Sequence, residues 1–201
     1  MFVGYGLLVG TLYSFETLMD TLLPALSTSQ LSAVGTVALL AGLPGALFGG
    51  WILDYSHNYK GTNVVMCGAA AVIMAVIAVL SDPTASVSYF WPLVLLCVLL
   101  GFLLCALLSA GFEWGVELSY PCTESTVAGT LNVFANLGGI VMIYGLEALV
   151  PALNCVVGNL FQAGALLLGA VLFAAIPNEL KRQQAREVSI AEVAQGESGA
   201  F

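Results

Sequence analysis

Apolar residues fill six long blocks along this chain, at about 2–26, 31–53, 63–80, 90–118, 124–149 and 155–176. Each block holds about 18–29 residues, enough to cross a ~30 Å hydrocarbon core at 1.5 Å per residue with some tilt. The breaks between them are polar or carry proline. They are Ser27-Thr28-Ser29-Gln30, the segment 54–62, the turn cluster 81–86, Pro121 and Pro151. Thr123 stands where a side-chain cap for the fifth block belongs. Backbone amides in lipid must pair within their own segment, so such blocks become helices. The pattern predicts an all-α membrane protein: a six-helix transmembrane bundle over 1–176 and a polar cytoplasmic tail over 177–201.

Composition sharpens this picture. Of 201 residues, 60% are hydrophobic and 8% charged, against about 25% charged in soluble domains. Too little polar surface exists to cover a water-soluble globule. The net charge of -8 gathers partly in the tail, at Glu179, Glu187, Glu192 and Glu197, and excludes the basic patches of a nucleic-acid binder. Cys67, Cys97, Cys105, Cys122 and Cys155 are scattered and read as small packed side chains. The first block lacks a basic leader region and is too long for a signal-peptide core, so it reads as a true helix.

The four basic residues, Lys60, Lys181, Arg182 and Arg186, follow the second or the sixth block. Both exits lie on one side. The positive-inside rule makes that side cytoplasmic, with both termini there, in the plasma membrane or an endomembrane. Gly6/Gly10, Gly45/Gly49 and Gly111/Gly115 give small-residue spacings that bring helices close in lipid. Pro44, between Gly42 and Gly45, is expected to weaken or kink the second helix.

Ionisable side chains inside a membrane are costly and mark candidate sites. Tyr13, Glu16 and Asp20 share one face of the first helix. Tyr13 lies about eleven residues from the inner end, ~17 Å deep and near the midplane. Carboxylate and aromatic ring together suit a cationic solute. Asn132 and Asn136, four apart in the fifth helix, reach the depth of Tyr13, since the first and fifth helices run in one direction. Glu113 and Glu117 close the fourth helix near the cytoplasmic face and read as an inner gate or loop anchor. His57 reads as a solvated loop residue. The sequence holds no HExxH, Cys/His cluster or Walker loop, so no metal, cofactor or enzymatic reading arises.

The segment from Gly50 to Lys60, with Asp54 inside it, resembles the loop between the eighth and ninth helices of major facilitator transporters. The stretch from Gly111 to Pro121, with Glu124, Gly129, Leu131 and Asn132, is similar to the feline leukaemia virus subgroup C receptor (FLVCR) family of that superfamily. The stretch from Gly4 to Ser14 is similar to that family's seventh helix. The resemblance covers about residues 1–176 and implies the carboxy-terminal six-helix half of a twelve-helix facilitator. It implies transport of choline or ethanolamine by alternating access, with haem transport as an alternative. Tyr13 matches a tyrosine of the family's choline site, and Asn136 stands where the family carries glutamine. Glu16 and Asp20 replace uncharged residues, and Asp54 matches a gating aspartate. The expected partners are the lipid bilayer, a small organic solute, and either an amino-terminal six-helix half or a second copy. A non-transporting scaffold or regulatory half-transporter is the alternative of another class.

Overall fold

The computed structural model describes residues 1–56, 58–82, 90–177, 182, 183 and 185. His57, Lys181, Arg186 and most of the tail lie outside the described residues. The helices are α1 (Phe2–Thr17), α2 (Met19–Leu22), α3 (Thr28–Ser56), α4 (Tyr59–Leu80), α5 (Phe90–Leu118), α6 (Glu124–Ala152) and α7 (Cys155–Ala174). Among the described residues there is no strand. The five helices α3 to α7 are long and apolar enough to cross a membrane.

The first block is not one continuous helix. α1 ends at Thr17, and Leu18 leaves helical geometry at φ -109 and ψ 23. The Asp20 carboxylate accepts bonds from the backbone and hydroxyl of Thr21, the local competition that loosens helices at Asp and Thr. Leu23 then precedes Pro24, which disfavours the helical region, and the chain leaves α2 there.

Caps move the other boundaries outward. Ser27 and Gln30 form a reciprocal capping box: the Gln30 side chain accepts from Ser27 N at 2.9 Å and Ser27 Oγ from Gln30 N at 3.4 Å. α3 therefore starts at Thr28 rather than 31, and it continues through Pro44 to Ser56. Asn58 Oδ1 accepts from Gly61 N at 3.0 Å and starts α4 four residues before 63. Asn154 caps α7, and Thr123 caps α6. We expect Ser27→Ala to cost about 1 kcal/mol, read as a lower unfolding midpoint in detergent. An unchanged midpoint would mean that packing alone fixes this end.

Side-chain and glycine contacts fix the direction of each helix. Gly6 lies against Phe134 and Gly10 against Gly138, so α1 and α6 are parallel. Gly101 faces Ala38 and Gly49 faces Ala106, so α3 and α5 are parallel too. α7 opposes α4, since the Lys60 ammonium donates to the Ile176 carbonyl and Cys67 to Leu166. It also opposes α1, where Gly4 meets Phe173 and Ser14 meets Gln162. α5 opposes α1, with Tyr5 donating to the Leu108 carbonyl while residues 12–20 share a cavity with residues 97–105.

The closest pairs are α3 with α5, α1 with α6, and α4 with α7. Exchange α1, α3 and α4 for α5, α6 and α7 in order. The first pair becomes the second, the third maps onto itself, and every direction reverses. Two three-helix units of inverted topology satisfy this relation.

Close approach explains the pairing. α3 buries a stripe of mostly small residues, Val34, Ala38, Gly42, Gly45, Gly49 and Leu53, spaced by three or four. A Cβ on Gly42 would come within 2.6 Å of Cys105 Sγ, and on Gly45 or Gly49 it would strike the carbonyls of Phe102 or Ala106. Ser109 adds a bond to the Ala46 carbonyl at 2.9 Å. The outer face of α3 carries Leu39, Leu40, Leu43, Leu47 and Trp51, all exposed. A patch so apolar needs lipid or protein against it. Deeper in the bundle, Trp114 is fully buried and meets Phe173 edge-on, with ring centroids 5.6 Å apart.

Candidate functional site

The larger cavity, about 540 Å³, lies between the second half of α1, α2, the first half of α3 and the middle of α5. Leu12, Phe15, Leu31, Leu100 and Leu104 give it apolar walls. Glu16 and Asp20 stand one turn apart on its rim, both exposed. Thr28, Ser32 and Thr36 bring a polar stripe from α3, with Ser32 bonded to the Thr28 carbonyl and Thr36 to the Ser32 carbonyl. The spacing of four is visible in the sequence, but no charge distinguishes these hydroxyls from ordinary polar positions at a helix start. Cys97 and Cys105 complete the α5 wall. An apolar pocket with a few convergent polar groups is the form of a small-molecule site. Its two carboxylates make the rim electronegative, a chemistry that suits a cation.

Tyr13 and the two asparagines are not in this cavity. Tyr13 is half-buried, with its ring against Gly139 of α6. Asn136 is exposed and donates to the Asn132 carbonyl of its own helix at 2.7 Å. Asn132 is likewise exposed one turn earlier. Packing of Gly6 on Phe134 and Gly10 on Gly138 sets Asn136 level with Leu8, about five residues, or ~8 Å, from Tyr13 along the axis. The equal depth expected from sequence is therefore corrected. α6 begins nearly two turns before α1, so counting from each helix start misaligns them. Tyr13 still leans back towards that level, because helical side chains point to the N-terminal end.

A smaller cavity of about 330 Å³ opens at the end where α1 begins and α7 finishes. It gathers the three residues read as gating, Asp54, Glu113 and Glu117, with Tyr59, Phe112, Val116, Glu124 and Arg182. The Arg182 guanidinium pairs with Glu124 at 2.9 Å, both side chains more than half exposed. Such a surface pair contributes little stability. Gln183 donates to the Tyr59 hydroxyl at 3.4 Å.

Lipid-facing apolar helices, close helix pairs and internal cavities define an integral, multi-pass α-helical membrane protein. Within that class the chain is FLVCR-like. It is 32% identical over 188 residues to the choline/ethanolamine transporter FLVCR2 of Rattus norvegicus, covering 92% of this chain and 34% of that protein. It is 30% identical over 191 residues to the choline/ethanolamine transporter flvcr2a of Danio rerio, covering 93% and 40%. An uncharacterised MFS-type transporter of Caenorhabditis elegans is 30% identical over 191 residues, covering 94% and 32%. No family model matches the chain. The chain thus spans about a third of the length of the curated relatives it matches.

Proposed function

We propose that this chain forms the carboxy-terminal six-helix half of a twelve-helix major facilitator transporter that moves a small organic cation, choline- or ethanolamine-like, by alternating access. The observation that carries the reading is the inverted pairing of α1, α3 and α4 with α5, α6 and α7, the internal symmetry of a facilitator half. In this reading α1 and α2 together make the first of six spans, broken at Leu18 beside the larger cavity. Broken helices at membrane depth are tolerated where they border a cavity. The end carrying Lys60 and Arg182 is cytoplasmic by the positive-inside rule, so both termini lie inside.

The division of labour follows from chemistry. Tyr13 presents an aromatic face, Glu16 a carboxylate, and Asn132 and Asn136 amides on the neighbouring parallel helix. The opposite half, or a second copy, closes the site. Asp54, Glu113 and Glu117 form the cytoplasmic gate on this side. Similarity to choline/ethanolamine transporters supports the solute class, and Glu16 supports its positive charge.

Uptake of labelled choline by cells expressing this chain within a complete twelve-helix transporter is expected to exceed background. Tyr13→Ala should weaken solute affinity by ~0.5–2 kcal/mol through loss of a cation–π contact, and Tyr13→Phe should preserve it. Surface-expressed protein with no uptake of choline or ethanolamine would overturn the reading.

A further inference from the structure

We propose that the smaller cavity is itself a binding station for a small organic ammonium ion, separate from the level of Tyr13. It goes beyond the transport reading, and the charged and aromatic residues it is argued from are this chain's own.

Charge is the first argument. Among the described residues, four carboxylates, Asp54, Glu113, Glu117 and Glu124, line this cavity with one guanidinium, and Arg182 is already engaged by Glu124 at the rim. Burial is the second and independent argument. Glu117 is only 7% exposed. One of its carboxylate oxygens is buried with no hydrogen-bond partner among the described residues. A carboxylate withdrawn from water without a partner is costly, and an entering cation relieves that cost. The third argument is the wall. Tyr59 and Phe112 border the same space, and aromatic faces with carboxylates recognise ammonium groups.

The geometry also narrows the ligand. Among the described residues, no three acidic, histidine or cysteine side chains converge closely enough to hold a metal ion. Charge spread around a 330 Å³ space suits a diffuse organic cation better than a small ion that needs several oxygens at one point. Arg182 occupies the rim as a competing internal cation.

The test is equilibrium binding of labelled choline to the purified chain in maltoside micelles at low salt. A Tyr13→Ala, Glu16→Gln background weakens both the transport-level site and the rim of the larger cavity. Saturable binding should persist there. Glu117→Gln and the exposed Asp54→Asn should each weaken it at least about fivefold, whereas Arg182→Ala should tighten it. Displacement by added phosphatidylcholine would assign the ammonium group to a lipid headgroup, and no displacement would assign it to a free solute. The proposal is overturned if that double background abolishes all saturable binding. It is equally overturned if Asp54→Asn, with an unaltered elution profile, binds like its parent. A chain that binds in this way but supports no uptake would sink the transport reading alone.

Discussion

Gly138→Leu should prevent α1 and α6 from closing, and the protein should lose its compact elution profile in detergent. A Cβ at Gly138 would fall on the Gly6 carbonyl, and one at Gly10 would come within 2.6 Å of the Gly138 backbone. The two helices touch through their main chains, so neither neighbour has a side chain to swing aside. Overpacking a tight interior costs ~1–3 kcal/mol. Here the obstacle is backbone and the pair runs in parallel along the whole of α1, so we expect the upper end of that range. In lipid no hydrophobic gain between helices offsets the loss, because dispersion contact supplies most of the association. Gly164 is the matched control. Nothing lies within 4 Å of a Cβ placed there, so Gly164→Ala should be neutral or stabilise α7 by ~0.5–1 kcal/mol. Thermal unfolding of both variants decides the matter. Equal midpoints would show that the α1–α6 approach does not hold the bundle together.

The contrast between these glycines shows what the linear sequence makes legible. Apolar block length announced the helices, and the spacing of Gly6 with Gly10 and Gly45 with Gly49 announced close packing. Gly111 and Gly115 share that spacing, but they meet the Tyr5 ring and the Leu131 side chain instead of a backbone. Spacing is a local property, while the partner opposite it is not. The offset of Tyr13 from Asn136 has the same origin, since register between helices is set where main chains touch rather than where helices start. Helix ends were less legible than they needed to be. Ser27 with Gln30, and Asn58 three before Gly61, are capping signals carried by residues that composition marks only as polar. The three carboxylates that the sequence offered as a gate were easier to bring together. Asp54, Glu113 and Glu117 sit at the ends of helices that run parallel and adjacent, so similar positions along α3 and α5 become one cavity. The break at Leu18 falls among Glu16, Thr17, Asp20 and Thr21, polar residues outweighed by the length of the apolar block around them, and the α2 segment beyond it is tied from α7, a contact that no local pattern announces.

That tie yields the second large effect. Asn159 is fully buried, and its amide nitrogen stands 3.1 Å from the Leu22 carbonyl, 3.1 Å from Ser81 Oγ and 3.2 Å from the Cys155 carbonyl. Two hydrogens cannot serve three acceptors at full strength, so the contacts to α2 and to the end of α4 dominate the tertiary role. The Leu22 carbonyl is a helix-terminal acceptor without an intrahelical donor. Asn159→Leu strands it in an apolar interior. Orphaning a buried polar group costs ~1–3 kcal/mol, and polar links between membrane helices average ~0.6 with a maximum near ~1.7. Asn159 Oδ1 has no partner among the described residues, so the leucine also removes one existing cost. The net expectation is a loss of about 1.5–2 kcal/mol, seen as a lower unfolding midpoint. Gln162→Leu, which removes one bond to Ser14 at 3.0 Å, should cost less. A second readout separates tethering from general destabilisation. Asp20 lies within α2 and lines the larger cavity, whereas Asn159 does not. Loosening α2 should therefore weaken cation binding at a residue that never meets the ligand. Buried Leu22 and Leu23 also anchor this segment. If Asn159→Leu leaves both midpoint and affinity unchanged, those two leucines hold α2 by packing alone, and the polar tie from α7 has no part in shaping the cavity.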